Sequence, residues 1–167
     1  MQQIIKYFTY IIACSLIFIL LVKVFDGGNE AVTVANAFEW QKPVDIYFVD
    51  KNTLETDSCE ATYAVQRMVP NAETLGPGSM NALIDGLTME EEEDLFSAIS
   101  DSTLLQNFEI IDRVAYVDFS SDLSENVAGS CNVVAIRSQI ENTLNSLVDI
   151  DSVVISVNGE TEGILEP

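Results

Sequence analysis

Apolar positions fall into three patterns along this chain: one unbroken run, several alternations and two helical stripes. The run is Tyr7–Val22, extended past Lys23 by Val24 and Phe25. It has no polar face. A helix crossing the hydrocarbon core needs about 20 mostly apolar residues, and residues 7–25 reach that length when Lys23 snorkels to the interface. The alternations predict strands. Val44, Ile46 and Phe48 alternate with Asp45 and Tyr47, giving a strand over 44–50. Thr62–Val69 is rich in β-branched and aromatic types and is ended by Pro70. Phe108–Asp112 and Val114–Ser120 both alternate around a tight connection at Asp112-Arg113, predicting a hairpin. Ala115, Val117 and Phe119 share one face of the second strand, with Val114, Tyr116 and Asp118 on the other. A last strand holds Val153, Ile155 and Val157, followed by the turn signal Asn158-Gly159.

The stripes predict helices between these strands. Met80, Leu83, Ile84 and Leu87 recur at i, i+3, i+4 and i+7, with Pro77 in the first turn and Gly86 weakening the end. Thr88-Met89-Glu90-Glu91 has the capping-box pattern and predicts a short further helix through Phe96. A longer helix over 131–147 places Val133, Ile136, Ile140, Leu144 and Leu147 on one stripe, with Ser130 as N-cap. The main order is β-β-α-β-β-α-β. It predicts a single two-layer α+β domain, a mixed sheet with two main helices on one face.

This organisation divides the chain into a cytoplasmic tail (1–6), a transmembrane signal anchor (7–25), a linker (26–42), one domain (43–160) and a C-terminal tail (161–167). Gly27-Gly28 breaks any helix running on from the membrane. Trp40 or Phe38 rests at the membrane interface or caps the domain; the pattern does not choose between them. Before the run lie only the amino terminus and Lys6 as charges, and both are positive. Positive-inside reasoning therefore keeps the tail in the cytoplasm and exports the rest, in a single-pass cell-membrane protein. Competing readings are a signal peptide cut after Ala35-Asn36-Ala37, a lipoprotein signal using Cys14, and a buried helix. The first cut lies far beyond the apolar run, and the run continues for eight residues past Cys14, so the uncleaved anchor fits best.

Charge narrows the function. The chain carries a formal net charge of −20, and all 27 acidic residues lie beyond residue 25. Only Lys42, Lys51, Arg67, Arg113 and Arg137 oppose them there. Such a domain repels phosphate backbones and anionic head groups, which argues against nucleic acid. With no histidine in the chain, Ser-His and Cys-His catalysis and histidine metal sites are excluded.

Two acidic stretches invite an ion. Glu90 to Asp94 is a run of five acids, better explained as a helix start favoured by the macrodipole. Asp118, Ser120, Asp122 and Glu125 lack the central glycine and twelve-residue pattern of a calcium-binding EF-hand loop, and read as a turn with caps. Cys59 and Cys131 are the only cysteines in the exported part. In an oxidising compartment they suggest one disulfide, against the alternative of two unrelated buried thiols. Closing a loop of about 73 residues would contribute around 4 kcal/mol in the chain-entropy model.

The ordered motifs resemble the GerMN domain family of sporulation and spore-germination proteins. The match is carried by Val44-Asp45-Ile46-Tyr47-Phe48-Val49-Asp50, by Val65-Gln66-Arg67-Met68-Val69-Pro70 and by Val114-Ala115-Tyr116-Val117-Asp118-Phe119-Ser120. It continues through Ile136 to Leu144 into Val153-Val154-Ile155-Ser156-Val157-Asn158-Gly159. It covers residues 44–160. The family's usual Leu-x-Gly-Pro-Thr after the first helix is here Asp85-Gly86-Leu87-Thr88, without the proline. The Cys59 and Cys131 pair resembles a feature of some members only.

The resemblance implies a membrane- or lipid-anchored, extracytoplasmic and non-enzymatic domain. It also implies similarity to ring-building modules of secretion complexes, in which a small helix-and-sheet unit contacts its neighbours. It supplies no catalytic residues. The expectation is a module that binds or scaffolds envelope proteins or cell-wall material, with no cofactor and no metal. The alternatives are a calcium-dependent binding or adhesion module and a hydrolase using paired carboxylates such as Asp118 with Asp122. A general acid would need a pocket that raises its pKa.

Overall fold

The computed structural model describes residues 40–52, 58–125 and 127–165. The predicted anchor at 7–25 lies outside the described residues. Within them no helix is long and apolar enough to cross a membrane. The elements are β1 (Gln41–Asp50), β2 (Thr62–Pro70), α1 (Gly76–Asp85), β3 (Leu95–Phe96), β4 (Leu105–Ile111), β5 (Val114–Phe119), α2 (Ser130–Asn145) and β6 (Ser152–Val157). Strand β1 begins at Gln41, inside the stretch expected to be linker.

The strands form two sheets, which corrects the expectation of a single mixed one. One sheet has the order β2-β1-β3 and the other β4-β5-β6. β1 is antiparallel to both of its neighbours, whereas β5 is antiparallel to β4 and parallel to β6. The reason lies at the second edge of β1. Only Val49 and Asp50 meet β3 there. Further back, Tyr47 N–H donates to Thr143 Oγ1, and Ser146 Oγ, which donates to the Thr143 carbonyl at 2.7 Å, lies 3.4 Å from the Asp45 carbonyl. Thr143 of α2 thus takes a backbone amide that a continuing sheet would have paired, the residue after the helix covers the next carbonyl, and the edge is closed by a helix. Alternation in the sequence reports which face a residue uses, not which strand lies beside it.

The alternating faces meet in one core. Val44, Ile46 and Phe48 of β1, Ala115, Val117 and Phe119 of β5, and Ile155 and Val157 of β6 are all buried. Met80 and Leu83 of α1 and Val133, Ile136, Ile140 and Leu144 of α2 pack against them as predicted from their stripes. Gly76 opens α1 because the ring of Phe108 occupies its space: a Cβ there would lie 2.0 Å from Phe108 Cζ. Gly86 ends the helix at φ +80°, which L side chains rarely adopt.

Three local expectations change. The helix expected from Thr88 through Phe96 is a single 3₁₀ turn, Glu91–Glu93, followed by β3. Its capping box does form: Thr88 N–H reaches Glu91 Oε2 at 2.9 Å and Glu91 N–H reaches Thr88 Oγ1 at 3.4 Å. The helix does not propagate because Leu95 is drawn into the core and pairs with Asp50. At α2, Gly129 is the N-cap at φ +89°, and Ser130 is the first helical residue rather than the cap. In the expected tail, Leu165 is buried, and Arg137 donates from Nε to its carbonyl and from Nη2 to that of Ile164.

Candidate interaction surface

The chemistry-bearing residues singled out from sequence are used structurally. Asp118 Oδ1 accepts from Ser156 Oγ at 2.6 Å and from Gly159 N–H at 2.8 Å, so it ties β5 to β6 and to the turn beyond. Ser120 Oγ donates to Asp122 Oδ2 at 2.8 Å and accepts from Leu104 N–H at 3.0 Å. Asp118 and Asp122 therefore bond to different partners. Glu125 follows the 3₁₀ turn Ser121–Leu123 and is exposed. Among the described residues no three acids or cysteines converge as metal ligands. The stretch forms the expected turn, Ser121–Leu123, but no side chain caps its start.

The carboxylates whose titration is perturbed move in the direction opposite to a general acid. Arg67 donates from Nη1 to Glu91 Oε1 at 2.8 Å and from Nη2 to Oε2 at 2.5 Å. Those bonds, with Thr88 N–H, hold Glu91 down to about 2. Arg113 grips Asp151 in the same forked way and lowers it as well, on an exposed corner. Arg113 sits there because the hairpin turn puts both Asp112 and Arg113 at positive φ, 50° and 66°. Two left-handed residues match the twist of a two-residue hairpin.

Arg67 also stands over the Phe48 ring, 6.0 Å from its centroid. The pair Arg67–Glu91 therefore clamps the segment after α1 against β2. Between them and the end of β1 lies an open groove of about 640 Å³, bordered by Tyr63, Val65, Gln66, Glu91, Asp94 and Leu95. At the far end of β2, Cys59 and Cys131 are joined as a disulfide with Cα atoms 5.2 Å apart. It fastens the first turn of α2 to the connection before β2. Sequence reasoning missed the groove, since the Arg67–Glu91 contact that shapes it spans 24 residues and follows no periodic signal.

A second surface lies on the outer face of the β4-β5-β6 sheet. Register places Glu109 opposite Tyr116 and Tyr116 opposite Val154, with Ile111 opposite Val114 one step along. Tyr116 and Ile111 are exposed there. The sequence had assigned Val114 and Tyr116 to this face correctly.

The family of the chain follows from comparison. Residues 45–163 match the family model Germane, described as sporulation and spore germination. The fold is similar to the tandem GerMN domains of the sporulation protein GerM from Bacillus subtilis, with a TM-score of 0.58 at 21% identity over 74% of this chain. This chain spans 41% of that structure. The first GerMN domain of the same protein aligns with a TM-score of 0.52 at 20% identity, covering 72% of this chain and 85% of that one. A putative lipoprotein from Clostridium perfringens is also similar, with a TM-score of 0.49 at 21% identity, over 75% of this chain and 80% of that one. No curated protein matches. The family model spans most of the described domain, from β1 past β6, and this chain belongs to the Germane family of sporulation and spore-germination domains.

Proposed function

We propose that this protein is a membrane-anchored, extracytoplasmic and non-enzymatic module that binds or scaffolds components of the cell envelope. The observation that carries the reading is the division of labour among its side chains. The polar groups that chemistry would need hold the fold together: Asp118 bridges β5, β6 and their turn, and Gln139 and Thr143 hold backbone amides. Large apolar and aromatic groups are left outside on the strands instead, among them Tyr63, Met68, Ile111 and Tyr116. Exposed aromatics on a rigid scaffold suit recognition of another surface. Membership of a sporulation and germination family supports a role in envelope assembly, and the apolar run at 7–25 supplies the anchor. The single disulfide suits an oxidising compartment.

The test is affinity capture of the full-length protein from its own cells after crosslinking outside the cytoplasm. Envelope-assembly or wall-synthesis proteins recovered with the full chain and lost with an anchor-only control support the reading. Recovery identical to that control would count against it.

A further inference from the structure

Strand β2 has one neighbour. It pairs with β1 throughout its length, and among the described residues no strand lies on its other side. The direction of its free groups follows from β1. Tyr47 N–H leaves the sheet for Thr143, so Tyr47 and its partner Ala64 do not exchange ladder hydrogen bonds. Backbone groups alternate in direction along a strand. Ala64, Gln66 and Met68 therefore turn their N–H and C=O groups away from β1. The polar contact found there is a long one, Arg67 Nη1 to the Gln66 carbonyl at 3.4 Å.

Edge strands are usually blunted by charge, proline, a bulge or a covering element. β4, an edge of the other sheet, carries both an acid, Glu109, and a bulge between Leu105 and Asn107. β2 has no acid and no bulge: its one charge, Arg67, is taken up by Glu91, its register is unbroken, and its proline comes only at the end, at Pro70. The groove of about 640 Å³ opens beside the first half of β2, lined by the four consecutive residues from Tyr63 to Gln66, and reaches across the end of β1 to Leu95. Its lining also carries Asp94 and Glu91, the latter already held by Arg67.

We propose that the outer edge of β2 takes up an extended, lysine- or arginine-bearing segment of a partner protein as an added strand beside Ala64–Met68. The proposal rests on the reading of the domain as a binding module and names how it binds. Main-chain hydrogen bonds to an open edge supply affinity, and alternate side chains supply selectivity. Charge selects the occupant. A chain of net charge −20 repels a second copy of itself and draws a cationic segment. Asp94, in the lining of the neighbouring groove, adds a local negative charge near that strand.

The experiment uses the full chain in neutral detergent at physiological salt. The probe is a fluorescein-labelled octapeptide of alternating lysine and valine, read by anisotropy. Its comparators are the same peptide with N-methylated valines, which keeps the charge but cannot pair, and an alternating glutamate–valine peptide. Gln66→Pro deletes one outward N–H and leaves the ladder to β1 intact, since proline is tolerated on an edge where its nitrogen faces solvent. Asp94→Lys is the second variant and leaves the strand untouched.

The lysine peptide is expected to bind about tenfold more tightly than its N-methylated form, and Gln66→Pro to remove that difference. Asp94→Lys weakens it several-fold, and bound peptide slows hydrogen exchange over residues 62–70. Equal binding of the methylated peptide, equal or tighter binding of the acidic peptide, or no binding overturns the proposal. So does a dimer that forms without peptide and separates in Gln66→Pro, which gives the edge to a second copy. Envelope partners recovered in the capture experiment alongside any of these results would leave the scaffold reading standing and this edge assignment fallen.

Discussion

Tyr47 N–H donates to Thr143 Oγ1 at 3.0 Å, across 96 residues of sequence. This bond places a helix side chain where a strand would otherwise stand. Thr143 is fully buried, so its loss leaves an amide without a partner inside the protein. Thr143→Val keeps the shape and removes the acceptor. It is expected to destabilise the domain by about 1–3 kcal/mol, whereas Thr143→Ser keeps the acceptor and loses less. Denaturant melts of both variants check this; equal stability of Thr143→Val and Thr143→Ser would refute it.

The pair Arg67–Glu91 makes stability depend on pH at the acid end. Glu91 has its pKa lowered from 4.5 to about 2, by Arg67 first and by Thr88. A lowered carboxylate stabilises the folded state fully above its unfolded pKa, and that contribution disappears as pH falls to its folded value. Wild type should therefore exceed Glu91→Gln in stability by about 1–2 kcal/mol at pH 6. The gap should close between about pH 4.5 and pH 2. Melting both proteins across that range isolates this pair from the many other carboxylates, and a constant gap would contradict the assignment.

Gly76 meets the Phe108 ring closely enough that even a methyl group collides with it. Gly76→Ala is expected to cost about 1–3 kcal/mol through overpacking, although alanine is the better helix former. Pairing it with Phe108→Leu, which opens the space, should recover part of the loss. A neutral or stabilising Gly76→Ala would show that α1 can shift away from β4.

The buried stripe of α2 and the disulfide support the same element from opposite ends. Ile140 is wholly enclosed, and Ile140→Asp should abolish folding by burying an unpaired charge. Reduction of Cys59–Cys131 should lower stability by a few kcal/mol, about 4 in the chain-entropy model. A melting midpoint unchanged in Ile140→Asp would overturn the helix assignment, and a free-thiol count of two in native oxidised material would remove the bridge.

Much of this architecture is legible in the chain because its signals are periodic. The stripe from Val133 to Leu144 and the alternation from Ala115 to Phe119 each describe a face, and the faces meet in the core. What periodicity does not encode is adjacency. Thr143 of α2 and Ser146 just past its end, which close the edge of the first sheet, are ordinary polar residues in the sequence pattern. Leu165 reads as part of a polar tail because one buried leucine beyond Gly163 makes no pattern. The candidate surface was less legible still. Asp118 and Asp122 drew attention as oxygen donors, yet each has a structural bond. The groove depends on Arg67 reaching Glu91 across a helix, a contact that sequence spacing does not announce.

The central claim is that this domain meets other envelope molecules through its exposed strands. The direct measurement is site-specific photo-crosslinking in living cells. The full-length protein would carry a benzoylphenylalanine in place of Tyr63 or Tyr116, both exposed, or in place of buried Phe48 as control. The account predicts discrete, reproducible adducts with extracytoplasmic or membrane proteins from one of the exposed positions and none from the control. Well-expressed, folded protein that gives no adduct from either exposed position would contradict it.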